Sequence, residues 1–115
     1  MRTADQILPG EAVSRLTDYM RDVKRALPDV GKLILFGSRA RAEARDDSDY
    51  DVAVFVRDLS DRPRVRRILS DLAYDYILSG FFIRPIPLPL DYLDPREGRL
   101  TELAEDIIRD GAEVT

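Results

Sequence analysis

Two pairs of residues in this chain have types and spacing suited to chemistry. The first is Asp49 and Asp51, one residue apart at the head of the apolar run Val52–Val56. Residues i and i+2 of a strand share a face, with Cα atoms roughly 6.5 Å apart. Two carboxylates so placed can converge on one or two cations, and two-metal sites hold their ions about 3.5–4 Å apart. Without a cation the pair is awkward, because like charges on one strand face repel and Asp is depleted in strands. The second pair is Gly37-Ser38, directly after the apolar run Leu33–Phe36. Glycine lets backbone approach a ligand closely. A helix starting at Ser38 would turn unpaired N–H groups and a positive dipole end toward a phosphate. Each pair also has a plain reading. Asp-x-Asp can be a polar strand start reaching water, and Gly-Ser an ordinary turn with a serine cap.

Elements must hold these pairs in place. Val13, Leu16, Met20, Val23 and Leu27 recur at three- and four-residue spacing, which predicts a helix over about 10–27, opened by Pro9-Gly10 and closed by Pro28. Residues 32–36 read as a buried strand. Ser38 to Ala44, rich in Ala and Arg, reads as a short helix. From Asp49 to Arg57 the chain alternates, with Tyr50, Val52, Val54 and Val56 on one side and Asp49, Asp51, Ala53 and Phe55 on the other. That is a second strand. Val65, Leu69, Leu72 and Tyr76 mark a helix closed by Ser79-Gly80. In FFIRPIPLPL, residues 81–90, Pro85, Pro87 and Pro89 share one parity. All three would leave the same strand edge without donors, a pattern tolerable only on an edge strand. A last helix is expected near 98–110, with Gly111 past its end. The expected order is α-β-α-β-α-β-α: one α/β (α+β) domain over residues 1–115, a small mixed sheet with helices packed on it.

Composition narrows the chemistry. The chain has 115 residues, 44% apolar and 35% charged, as in a folded soluble domain. It contains no cysteine and no histidine, which excludes thiolate nucleophiles, Ser-His triads and imidazole metal sites. Any metal must be held by oxygen, which favours magnesium or manganese. The net charge of −4 lacks the basic footprint of duplex nucleic-acid binding. The local run Arg62, Arg64, Arg66 and Arg67 reads first as a solvated helix start and second as a partner- or nucleotide-binding patch. No apolar run is long enough to span a bilayer and no leader is visible, so the expected location is cytoplasmic.

Taken together, the two pairs carry a resemblance. An apolar strand ending in Gly37-Ser38, the ten residues 39–48, and a second strand opening with Asp49-x-Asp51 resemble the signature of the DNA polymerase beta-like nucleotidyltransferases in their minimal form. Arg39-Ala40-Arg41 and Ser48 are similar to the usual filling of the segment, and residues 100–114 look like the closing helix and tail of small members. The resemblance implies a polymerase beta palm-like nucleotidyltransferase fold. It implies that Gly37 and Ser38 hold the phosphates of ATP or another nucleoside triphosphate, with Arg39 or Arg41 helping to neutralise them. It implies that Asp49 and Asp51 are catalytic and bind magnesium or manganese. Small members are commonly antitoxins of a helical HEPN-type ribonuclease toxin, acting by binding it or by transferring AMP to it. A net charge of −4 suits meeting a basic RNA-cutting partner. Rival readings are a stand-alone nucleotidyltransferase acting on a small molecule or another protein, and a catalytically silent binding module.

The chain also departs from the family pattern. Active members carry a third carboxylate on a later strand. The matching run here, 81–90, holds Arg84 and three prolines, with no acidic residue before Asp91. Asp71 and Asp75 fall on the preceding helix as surface residues. Ala42 stands where a glycine is usual, which is unfavourable if that position needs a positive φ.

Overall fold

In a computed structural model that describes residues 1–115, with every side chain but that of Glu97, the chain is built on a five-stranded sheet. The strands are β1 (Arg2–Thr3), β2 (Val30–Phe36), β3 (Tyr50–Val56), β4 (Ile83–Pro89) and β5 (Ala112–Val114), in the order β1-β5-β2-β3-β4. The helices are α1 (Gly10–Ala26), α2 (Arg62–Leu78) and α3 (Glu102–Asp110). Among the described residues, no helix is long and apolar enough to cross a membrane.

The alternation along β3 explains how the sheet is sandwiched. Val52, Val54 and Val56 join Leu16, Val23 and Leu69 in one buried cluster beneath α1 and α2. Ala53 and Phe55 join Ile34 and Ile107 in a second cluster on the opposite face, where α3 packs. Every residue from Val52 to Val56 is therefore buried. Asp51 has the parity of Ala53 and Phe55 and so lies on the α3 face, at the start of β3. Tyr19 was not part of the expected stripe on α1, yet it is fully buried; its hydroxyl donates to the Leu69 carbonyl at 2.8 Å. Asp71 and Asp75 are exposed on α2, as their positions implied.

The proline-rich run behaves as its parity predicts. β4 is a sheet edge and pairs in parallel with β3 alone. Residues of one parity turn both backbone polar groups to the same edge, so Arg84, Ile86 and Leu88 serve the ladder while the prolines face outward. The outer edge then has acceptors and no ladder donors, which blunts further strand addition. One acceptor is already taken: the Arg62 guanidinium donates to the Pro87 carbonyl at 3.1 Å. That gives one member of the arginine run a structural task.

Three expectations need correction. First, Ser38–Ala44 is not a helix, so Ser38 caps none; the segment is a series of turns. The Ala40 and Arg41 N–H groups both fold back to the Gly37 carbonyl, and Glu43 N–H to that of Ser38. Ala42 then takes φ 59, which breaks any helical run. Good helix formers lose here to tertiary demands on the loop. Second, α3 starts at Glu102, not near 98, because the Thr101 side chain accepts from Ala104 N–H and caps it there. Third, the order contains two further strands, β1 and β5, and lacks the second helix. β5 pairs antiparallel with β2 and parallel with β1.

Ala42 gives a first prediction. A left-handed alanine costs about 1–2 kcal/mol, while glycine costs the unfolded chain about 0.5–1 kcal/mol in added freedom. Ala42→Gly should therefore raise stability by about 0.5–1 kcal/mol. The urea midpoint should rise at unchanged slope. A midpoint at or below that of the parent would show that the loop does not hold Ala42 in this conformation.

Candidate active site

The ends of β2, β3 and β4 meet at one corner of the sheet. Antiparallel pairing sets Phe36, the last residue of β2, opposite Asp51. The chain must then turn sharply, and it does so through Gly37 at φ 75. The turn is pressed directly against the aspartate: a Cβ built on Gly37 would overlap Asp51 Oδ2 and lie 3.3 Å from its Cγ. Glycine is thus required here twice, for its backbone conformation and for the space. The Gly-Ser turn and the Asp-x-Asp pair, joined in sequence only by spacing, are adjoining in the fold.

Parallel pairing brings a third residue to the corner. Asp51 and Arg84 are register partners across β3 and β4. Arg84 Nε donates to Asp51 Oδ1 at 2.6 Å, and Arg84 Nη1 lies 3.9 Å from Asp49 Oδ2. The Asp51 side chain is 11% exposed, against 47% for Asp49 and 62% for Arg84. These exposures decide what the contact is worth. An exposed pair contributes only about 0–1 kcal/mol. A nearly buried carboxylate without a partner is costly, so the arginine matters chiefly as the group that keeps Asp51 compensated. The Asp51 hydrogen bond and charge, with a smaller contribution from Asp49, raise the Arg84 guanidinium above its ordinary value, so it stays charged at any working pH.

A divalent ion does not fit this arrangement. The position between the two carboxylates that an ion would take is filled by a guanidinium. Among the described residues, no group of three acidic side chains is placed to hold a metal. Asp91, the first acidic residue after Arg84, lies beyond the far end of β4, since Val56 pairs with Pro89 there and Asp51 with Arg84 at the near end.

The two remaining candidates do not join the carboxylates. Arg39 packs over the Tyr50 ring at 4.3 Å, and Tyr50 in turn stacks on Phe81 at 4.2 Å, on the α1–α2 side of the sheet. Its guanidinium donates to the carbonyls of Ser48, at 3.0 Å, and Asp46, at 3.2 Å. These bonds shape the loop that delivers Asp49. Arg41 pairs with Glu43 at 3.1 Å and Asp110 at 3.9 Å. It lines a separate cleft of 440 Å³ with Arg2, Arg39 and Arg109. Ser38 sits within the turn itself, half-buried. The residue that sequence reading left without a role is Arg84. Its signal was present as the place where a carboxylate was expected, but its partner depends on the register of a parallel pair.

Comparison with known proteins bears on the family and the fold. The family model described as polymerase beta, nucleotidyltransferase, matches residues 20–114. A Methanocaldococcus jannaschii protein described as a protein adenylyltransferase is 31% identical over 75 residues, covering 60% of this chain and 76% of that protein. A toxin–antitoxin crystallised with AMP-PNP superposes with a TM-score of 0.59 at 21% identity, covering 86% of this chain and 72% of the other. A Sulfolobus solfataricus protein described as a nucleotidyltransferase gives a TM-score of 0.58 at 19% identity, covering 90% and 82%. The two structural likenesses speak for the fold.

Proposed function

Because the chain belongs to the polymerase beta nucleotidyltransferase family, we propose that it is the antitoxin of a toxin–antitoxin pair. In this reading it binds ATP or another nucleoside triphosphate at the Gly37-Ser38 turn and neutralises a HEPN-type ribonuclease toxin by contact. The observation that carries the nucleotide half is the left-handed, half-buried Gly37 turn packed against Asp51, whose other carboxylate oxygen accepts from Arg84. A turn free of side chain admits phosphate close to the backbone. The guanidinium beside it, 62% exposed, can donate to phosphate oxygens. The partner half is supported by the fold shared with a toxin–antitoxin structure and by a net charge of −4, suited to a basic RNA-cutting protein.

A second reading has an observation of its own. The relative described as a protein adenylyltransferase, together with the side-by-side carboxylates of Asp49 and Asp51, favours AMP transfer to the toxin. In that reading the two aspartates are the catalytic pair and must first release Arg84, and Arg39 and Arg41 are available to phosphate only by giving up their present partners.

Co-purification with the product of the neighbouring gene tests both. The complex is incubated with ATP and magnesium and the partner is then weighed by mass spectrometry. A stable complex with no mass gain supports neutralisation by contact. A gain of one AMP on the partner moves the conclusion to transfer. If no complex forms, the antitoxin reading falls.

A further inference from the structure

We propose that Arg84 is the resident cation of the aspartate pair, excluding a divalent ion from Asp49 and Asp51 and serving in its place as the partner of a bound phosphate. The second half of this statement rests on the nucleotide reading above; the first half does not.

Geometry carries the argument. Asp51 on β3 and Asp49 just before it both face Arg84 and need a counter-charge. Arg84 supplies it from the neighbouring strand, at 2.6 Å to Asp51 and 3.9 Å to Asp49. The backbone register that opposes Arg84 to Asp51 is held along the whole of β4, from Tyr50↔Ile83 to Val56↔Pro89. The contact is therefore built into the sheet and is not a chance meeting of surface side chains. An incoming divalent ion would have to displace a guanidinium whose departure leaves Asp51, 11% exposed, to the ion alone. It would also remain beside the displaced positive charge. A guanidinium differs from a metal in what it offers next. It cannot lower the pKa of an acceptor hydroxyl by coordination, but its planar fork can hold a carboxylate and a phosphate oxygen together. Its exposure leaves donor groups facing solvent, across Asp51 from the Gly37 turn.

The test uses Mn²⁺ alone as the metal probe, followed through water proton relaxation. Three proteins are compared: the natural chain, Arg84→Lys and Arg84→Asp. Exchanging a positive for a negative group within about 4 Å of an ion changes its affinity by at least about tenfold, even at an effective dielectric constant near 20. Arg84→Asp should accordingly bind Mn²⁺ at least about tenfold more tightly than the natural chain and Arg84→Lys. If Arg84→Asp cannot fold unaided, Mn²⁺ should raise its melting temperature and leave that of the natural chain unchanged. Equal Mn²⁺ affinity in all three proteins, or an equal rise in melting temperature, overturns the proposal. ATP binding is measured separately in EDTA. The natural chain should bind ATP as well in EDTA as in magnesium, and Arg84→Ala should lose at least about tenfold in EDTA. Binding by the natural chain that vanishes in EDTA overturns the phosphate role. If no protein binds ATP under either condition, the nucleotide reading fails instead, and the Mn²⁺ comparison alone decides whether Arg84 excludes the ion.

Discussion

Replacing Gly37 with alanine is expected to destabilise the chain by about 2–4 kcal/mol and to abolish binding of nucleoside triphosphate. Two separate costs add. The backbone is at φ 75, where an alanine costs about 1–2 kcal/mol. The new methyl would also overlap Asp51 Oδ2, so the carboxylate must leave its position and with it the hydrogen bond to Arg84. Gly80 separates the two costs. It too has a positive φ, 91, but nothing lies within 4 Å of its missing Cβ. Gly80→Ala should therefore show the backbone cost alone, about 1–2 kcal/mol, with nucleotide binding intact. Urea unfolding of both variants measures the difference, and that difference is the price of crowding Asp51. A total loss of 2–4 kcal/mol lies below the usual 5–15 kcal/mol of a domain, so Gly37→Ala should still fold and its ATP titration can be read. Equal destabilisation by the two substitutions would show that Gly37 is not packed on the aspartate. ATP binding retained by Gly37→Ala would remove the turn from the nucleotide site.

This pair of glycines also shows how far the site was legible. Gly37-Ser38 and Asp49-x-Asp51 were findable because strands have a fixed period and a fixed rise. Two strand ends with a set spacing must bring their terminal residues together when the strands pair. The alternation along β3 placed its residues on the correct faces for the same reason. The prolines of β4 announced an edge because a missing donor has a direction. Each of these signals is local and geometric.

What stayed hidden was set by contacts between distant residues. Nothing in Arg39 predicts that its guanidinium will donate to the carbonyls of Ser48 and Asp46, or that residues 38–44 will form turns where their composition favours a helix. Parity gave the free edge of β4, but not the residue of β3 that would oppose Arg84. That depends on the parallel register, which the α2 crossover determines and no turn residue encodes. β5 has only three residues, too few for a period to show. Its presence is instead written in the space available at a single glycine.

Gly111→Ala is expected to cost about 3 kcal/mol and to loosen the sheet from β5 outward. Gly111 differs from Gly37 in kind, since its φ of −62 suits any residue. Space alone excludes a side chain. Its N–H closes α3 by donating to the Ile107 carbonyl at 2.8 Å. A Cβ would overlap that carbonyl oxygen and lie 2.8 Å from Ile34 Cγ2. Ile107 and Ile34 are both fully buried, so neither can give way into solvent. Overpacking usually costs about 1–3 kcal/mol; the upper end applies because one of the clashing atoms is backbone that ends a helix. Relief comes most readily by moving the chain after the glycine, which is β5. That strand holds Leu33, Ile34 and Leu35 of β2 on one side and pairs with the edge strand β1 on the other. Amide exchange should therefore quicken at β5, at β1, and at those β2 amides that bond to β5. It should remain slow between β3 and β4, whose pairing does not involve β5. Uniformly faster exchange would mean that the substitution lowers global stability without freeing the strand. Unchanged stability would mean that α3 and β5 do not meet as closely as this packing requires.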